Sequence, residues 1–161
     1  MKVIVNVDKN WGIGLGDKLI NHIPADMKFF REKTTGNVVV MGRSTFMTFP
    51  GPKALPNRVN IVLTKDESWS APDVVTVHSL DELFEELRKY DSDSVFIIGG
   101  AIVYDQLLPY CDTAFVTKVE SAKEADKFFP NLDAIDGWQV TEESEEFEHN
   151  EVKFRFVTYK K

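Results

Sequence analysis

The sequence predicts an α/β fold in three layers. A mostly parallel central sheet of about eight strands carries about four flanking helices and ends in a C-terminal antiparallel hairpin. Three observations predict it. Short β-branched runs alternate with segments of helical period, the pattern of parallel βα units. Two of those runs, Asn37 to Met41 (NVVVM) and Ser94 to Gly99 (SVFIIG), are almost continuously apolar, as strands covered on both faces are. After Trp138 the pattern changes to two strand-like segments separated by a short turn.

In chain order, Lys2 to Asp8 (KVIVNVD) reads as a buried first strand. Gly12, Gly14 and Gly16 then fall within five residues. Such a backbone is too permissive for a strand and too costly in entropy for a helix, so a loop is expected. Pro24 suits the first turn of a helix, where its missing N–H costs nothing, and that helix is expected to end near Gly36. Asn37 to Met41 is a strand, and Gly42-Arg43-Ser44-Thr45 opens a short second helix. Phe49 to Pro56 (FPGPKALP) is loop. Arg58 to Thr64 and the shorter Val74 to Val77 are strands.

Ser79 to Tyr90 is the clearest helix. Ser79 and Glu82 form a capping box, and Leu80, Leu83, Phe84 and Leu87 repeat at helical spacing for the core. Ser94 to Gly99 leads through Gly100 into a helix from Ala101 to Leu108, and Thr113 to Val119 returns as strand. Trp138 to Phe147 and Glu151 to Tyr159 make the hairpin, turning near His149-Asn150. With 161 residues and no repeat, linker or low-complexity segment, one domain spanning 1–161 is expected.

Composition narrows the function classes. At 43% hydrophobic and 28% charged the chain reads as globular, and the net charge of −7 argues against a nucleic-acid footprint. Cys111 is alone, so no internal disulfide forms, which suits a reducing cytoplasm. The three histidines are scattered without a second ligand nearby, so no metal site is expected. The apolar run from Val3 to Val7 already contains Asn6 and stops at Asp8, too short for a signal peptide or membrane span. Nothing identifies an oligomer interface or an obligate protein partner, so a monomer is the expectation.

Candidate chemistry concentrates in a few places. Asp26 alone reads as a solvated first-turn acid favoured by the helix dipole. Its company changes that reading: a glycine lid precedes it, and Met27, Phe29 and Phe30 supply apolar surface, with Phe30 one turn on. A carboxylate so placed can bind or protonate a small organic ring. Met41-Gly42-Arg43-Ser44-Thr45 and Ile98-Gly99-Gly100-Ala101 each run from strand through glycine into helix. Helix starts offer free N–H groups, so two such junctions suggest a dinucleotide pyrophosphate held between them. The pattern is not the Rossmann glycine fingerprint. Arg58, at the start of a strand, reads by itself as a surface arginine.

Gly12-Ile13-Gly14 followed by Ile23-Pro24-Ala25-Asp26 resembles the start of dihydrofolate reductase. Met41-Gly42-Arg43 with Thr45, and Ile97-Ile98-Gly99-Gly100 with Tyr104, resemble that family's two cofactor segments, and the similarity runs over essentially the whole chain. The resemblance implies NADPH as cofactor, a cis bond between Gly99 and Gly100, and a 2′-phosphate site at Arg43, Thr64 and Lys65. It further implies cofactor contacts from Asn6, Ile13, Gly14, Leu19, Gly42, Ser44, Thr45, Leu63, Gly99, Gly100, Ala101, Ile102, Val103 and Tyr104. For the substrate, 7,8-dihydrofolate, it implies Asp26 as the acid, Arg58 as anchor of the glutamate-tail carboxylate, and Thr117 as partner of Asp26. Ile4, Val5, Met27, Phe30, Phe49, Leu55 and Ile98 complete that set, which antifolate-type molecules would share.

The resemblance also implies hydride transfer to C6, protonation at N5, and a cytoplasmic place in one-carbon metabolism. Two departures stand out. Ile102 replaces an arginine that some relatives carry near the phosphates, which leaves Arg43 and Lys65 to discriminate. Ile20-Asn21 replaces a common Pro-Trp, which predicts a wetter pocket beside Asp26. Two alternatives stay open: a pyrimidine reductase on the same fold, and a catalytically silent nucleotide-binding protein.

Overall fold

Alternation along β1 (Lys2–Val7) divides the molecule into two faces. Val3, Val5 and Val7 enter one hydrophobic cluster and Ile4 another, as successive strand side chains must. The computed structural model describes all 161 residues. After β1 come β2 (Gly12–Leu15), β3 (Lys18–Leu19), α1 (Pro24–Thr34), β4 (Val38–Gly42), α2 (Arg43–Phe46), β5 (Val59–Leu63) and β6 (Val74–Val77). Then follow α3 (Leu80–Leu87), β7 (Val95–Gly99), α4 (Ala101–Leu107), β8 (Thr113–Val119), β9 (Lys127–Phe128), β10 (Gln139–Glu143), β11 (Phe147–His149) and β12 (Val152–Lys160). The main sheet has nine strands in the order β10-β12-β8-β1-β7-β4-β5-β6, with β11 pairing β12 alone. From β8 to β6 the strands are parallel, while β12 runs antiparallel to β8, β10 and β11.

Two cores sandwich this sheet, giving the expected three layers. Leu83 of α3 and Val103, Tyr104 and Leu107 of α4 pack with Val3, Val5, Val40 and Ile97 on one face. On the other, Ile4, Val39, Met41, Phe46, Val62 and Phe96 gather Phe29 and Phe30 of α1. Each fully buried Val, Ile, Met or Phe stabilises the fold by about 1.5–3 kcal/mol. No helix is long and apolar enough to cross a membrane.

The glycine-rich stretch departs from the loop expected of it. Gly12–Leu15 is a strand of a second sheet, ordered β3-β2-β9, with Gly14 opposite both Leu19 and Lys127. Pairing overrides propensity here, and side chains reinforce it. Asp8 accepts from Gly12 N–H at 2.8 Å, and Asp126 accepts from Gly16 N–H at 3.1 Å. A Cβ on Gly12 would lie 3.0 Å from Ala125 Cβ, so close approach rather than freedom requires that glycine.

Two smaller differences are local. Ser79 caps α3 by accepting from Glu82 N–H at 3.1 Å, but the Glu82 carboxylate accepts from His78 N–H, one residue before the position a capping box uses. Removing the cap in Ser79→Ala is expected to destabilise the protein by about 1 kcal/mol, read as a lower urea midpoint at unchanged slope. In the hairpin, the first expected strand is broken into β10 and β11. Its turn falls at Asn150-Glu151, both with positive φ, as a tight primed turn needs.

Candidate active site

Asp26 sits in the first turn of α1, directly over the ladder between β1 and β8. In that parallel register Asn6 lies opposite Thr117. Thr117 Oγ1 donates to Asp26 Oδ1 at 2.5 Å, and Asn6 Nδ2 donates to Oδ2 at 2.9 Å. Burial raises the Asp26 pKa above the ordinary carboxylate value, against the lowering effect of the Asn6 and Thr117 bonds. This is an acid made easier to protonate by its surroundings yet held in place by two donors.

The other expected substrate residues collect beside it. Phe30, Phe49, Leu55 and Ile98 pack against the cluster that contains Ile4, so they form one wall. The Ile4 carbonyl accepts from the buried Tyr104 hydroxyl at 2.8 Å, which ties β1 to α4. Val5 faces away from this wall, in the opposite core, and its contribution is limited to backbone. Met27 is 63% exposed and Leu19 62%, so both belong to the rim rather than to the apolar wall.

Arg58 is not the free surface cation its sequence context suggests. Its Nε donates to Pro56 O and its Nη1 to Thr34 Oγ1, both at 3.0 Å, and its guanidinium lies 5.9 Å from the centre of the Phe30 ring. Burial, then the neighbouring charge of Arg31, lowers its pKa. Arg31 thus joins Arg58 in making this end of the wall cationic. Its sequence gave no sign of this, since an exposed helical arginine is ordinarily solvated.

The two strand–glycine–helix junctions meet. Met41 pairs with Gly99 across β4 and β7. A Cβ on Gly100 would stand 3.2 Å from Thr45 Oγ1, and one on Gly42 would stand 3.2 Å from Val103 Cγ2. A side chain at either glycine would crowd its neighbour where the starts of α2 and α4 converge, and glycine leaves bare backbone there, as a phosphate cradle requires. The Gly99–Gly100 peptide is cis. Ile102 is 74% exposed at this edge.

Arg43 projects from the start of α2. Its Nη1 contacts Asp66 Oδ2 at 3.0 Å, and its guanidinium lies 5.7 Å from the Trp69 ring centre. Ser68, first through its hydroxyl and then its backbone, together with Arg43 holds the Asp66 carboxyl below its usual range. Thr64 Oγ1 accepts from Asp66 N–H at 3.2 Å, so Leu63, Thr64 and Lys65 lead straight into this charged corner. Neither Asp66 nor Trp69 was legible as part of it, because a loop sequence does not say which way it folds back.

The glycine-rich segment is tied down by two lysines. Lys127 Nζ donates to Gly16 O at 2.6 Å and Lys123 Nζ to Ile20 O at 2.9 Å. Asn21 is buried, 7% exposed, and its Oδ1 accepts from Ser121 at 3.4 Å while its Nδ2 has no partner. It lines a cleft of about 110 Å³ with His22, Ile23, Lys123, His149, Asn150 and Val152, and makes no bond to Asp26. Cys111 is buried, and burial pushes its thiol up to about 12, which makes it inert.

Known proteins resemble the chain over its whole length. A family model described as dihydrofolate reductase matches residues 1–161. The chain is 33% identical over 160 residues to the dihydrofolate reductase of Bacillus subtilis (strain 168), covering 98% of this chain and 92% of that one. It is 33% identical over 140 residues to that of Staphylococcus aureus (strain MSSA476), covering 87% and 83%. Among solved structures, dihydrofolate reductase from Enterococcus faecalis, complexed with NADP(H) and RAB-propyl, superposes with a TM-score of 0.86. It is 35% identical and covers 99% of this chain and 94% of its own.

Proposed function

The chain belongs to the dihydrofolate reductase family, and from that premise we propose how its residues divide the work of an NADPH-dependent dihydrofolate reductase. The observation that carries the reading is Asp26, a partly buried carboxylate beside an apolar wall, its proton affinity raised by burial. NADPH, when bound, supplies the hydride that reduces C6 of 7,8-dihydrofolate to give 5,6,7,8-tetrahydrofolate. Gly42, Ser44, Thr45, Gly99, Gly100 and Ala101, at the two converging helix starts, would hold its pyrophosphate. Arg43, Thr64 and Lys65 would take its 2′-phosphate. Asn6, Ile13, Gly14 and Leu19 would close on its nicotinamide end, and Leu63, Ile102, Val103 and Tyr104 would complete the contact.

Asp26 would accept hydrogen bonds from the pterin N3 and 2-amino groups and favour a proton at N5. Phe30, Phe49, Leu55 and Ile98 exclude water and align the pterin and its benzoyl extension. A cytoplasmic supply of tetrahydrofolate for one-carbon metabolism follows from that activity, and antifolate-type molecules would compete for the same wall. Absorbance at 340 nm with NADPH and dihydrofolate tests the reading: oxidation of NADPH only when both are present is expected, and its absence would refute it.

Arg58→Leu is expected to raise the KM for dihydrofolate about ten- to a hundredfold, the scale of one bidentate charged contact, and to spare that for NADPH. A pterin without the glutamate tail is the control and should be indifferent. Equal damage to the tail-less substrate would mean that Arg58 serves only Thr34 and Pro56.

A further inference from the structure

We propose that Asn6 is a positioning residue for Asp26, its side-chain amide fixing the carboxylate over the β1–β8 ladder. The inference rests on the reading of Asp26 as the pterin-binding acid and goes beyond the cofactor contact that resemblance assigns to position 6. Strand alternation places Ile4 and Asn6 on the α1 face of β1, while Val3, Val5 and Val7 enter the opposite core. Parallel register sets Asn6 opposite Thr117. Their donors reach different oxygens of Asp26, Oδ2 at 2.9 Å and Oδ1 at 2.5 Å, so the pair clamps the carboxylate across its full width.

A carboxylate has about four acceptor positions, so this clamp leaves room for two further donors from a ligand. One donor alone would leave the group free to rotate about its remaining bond. A backbone contact from residue 6 to a cofactor uses the main chain and is compatible with this side-chain role.

Few charges compete for control of Asp26. Burial raises its affinity for a proton, and Asn6 and then Thr117 oppose that. Tyr104, whose pKa burial and Asp26 both raise, spends its hydroxyl on Ile4 O. On β8, Lys118 neighbours Thr117 in sequence but binds Asp133 and Tyr159. On α1, Lys28 pairs with Glu32, Lys33 lies over the Phe29 and Phe115 rings, and Arg31 acts on Arg58. Before the helix, Lys18 and His22 are exposed, and at the end of β1 Asp8 is occupied by Asn10 and Gly12 N–H groups.

The test follows the Asp26 carboxyl directly, by ¹³C NMR of the free protein labelled at aspartate Cγ, with Asp26→Asn identifying the resonance. In Asn6→Ala the titration midpoint is expected to rise by about one pH unit, the scale of one lost bond to a charged acceptor. In Asn6→Leu, which keeps about the same size and shape but offers no donor, a rise of the same scale is expected. The pH profile of single-turnover hydride transfer should move in the same direction.

Midpoints in both variants within about 0.3 pH units of wild type would overturn the proposal. Asn6→Leu keeps the test decisive where Asn6→Ala folds poorly. Because the NMR titration needs no substrate, it separates the two readings. Shifted midpoints in a protein that does not reduce dihydrofolate would support the clamp and refute the reductase mechanism. Unshifted midpoints in an active enzyme would do the reverse.

Discussion

Asp26→Asn is expected to fold, to bind NADPH, and to reduce dihydrofolate at neutral pH at least about a hundredfold more slowly, the usual scale of acid–base assistance. Asparagine keeps the shape and can still accept from Asn6 or Thr117, but it carries no charge to favour a proton on the pterin. Rapid-mixing measurement of hydride transfer checks the prediction, and near wild-type turnover would sink the assignment. Stability should change in the opposite direction. The folded-state pKa of Asp26 is raised by burial, so the native state binds more protons between the unfolded and folded values. Stability therefore falls as pH rises through that window, and above it the buried charge is a cost. Asp26→Asn should melt at a higher temperature than wild type at neutral pH, and that advantage should vanish below the ordinary carboxylate range.

Arg43→Ala is expected to weaken NADPH about ten- to a hundredfold more than NADH, since only the former carries the 2′-phosphate. The Asp66 contact at 3.0 Å sharpens the expectation. Without Arg43, the Asp66 carboxylate remains in the same corner unscreened, so the phosphate loses an attraction and meets a repulsion. Both partners are about 43% exposed, so the preference should shrink as salt is added. Fluorescence titration with each cofactor measures this, and equal weakening of both would leave Arg43 a merely structural role.

What the sequence made legible follows from which interactions are local. The apolar runs at Val38–Met41 and Val95–Ile98 could only be covered strands, and Ser79 with the leucine spacing after it could only start a helix. Asp26, Thr117 and the glycines at 42, 99 and 100 were readable because their order and spacing resemble a known family. What stayed hidden depends on pairing between distant segments. Gly12–Leu15 becomes a strand because β9, more than a hundred residues later, lies beside it. Asn6 reads as an interruption of an apolar strand until its register with Thr117 is known. Asp66 beneath Arg43 and Arg31 beside Arg58 likewise come from chain reversals that no local pattern encodes.

The antiparallel strand β12 has a consequence for how the protein is made. Thr117 lies on β8, between β1 and β12 in the finished sheet. In the chain, β12 follows β8 only after the connection through β9, β10 and β11. Until β12 pairs with it, β8 is an edge of the sheet, its N–H and C=O groups open to any passing strand. The strand that completes the acid's support is thus a template for misassociation in any chain whose last strand is not yet in place. Cutting the chain before Val152 should therefore lower its solubility as well as its activity, because β8 is then left as a permanent edge.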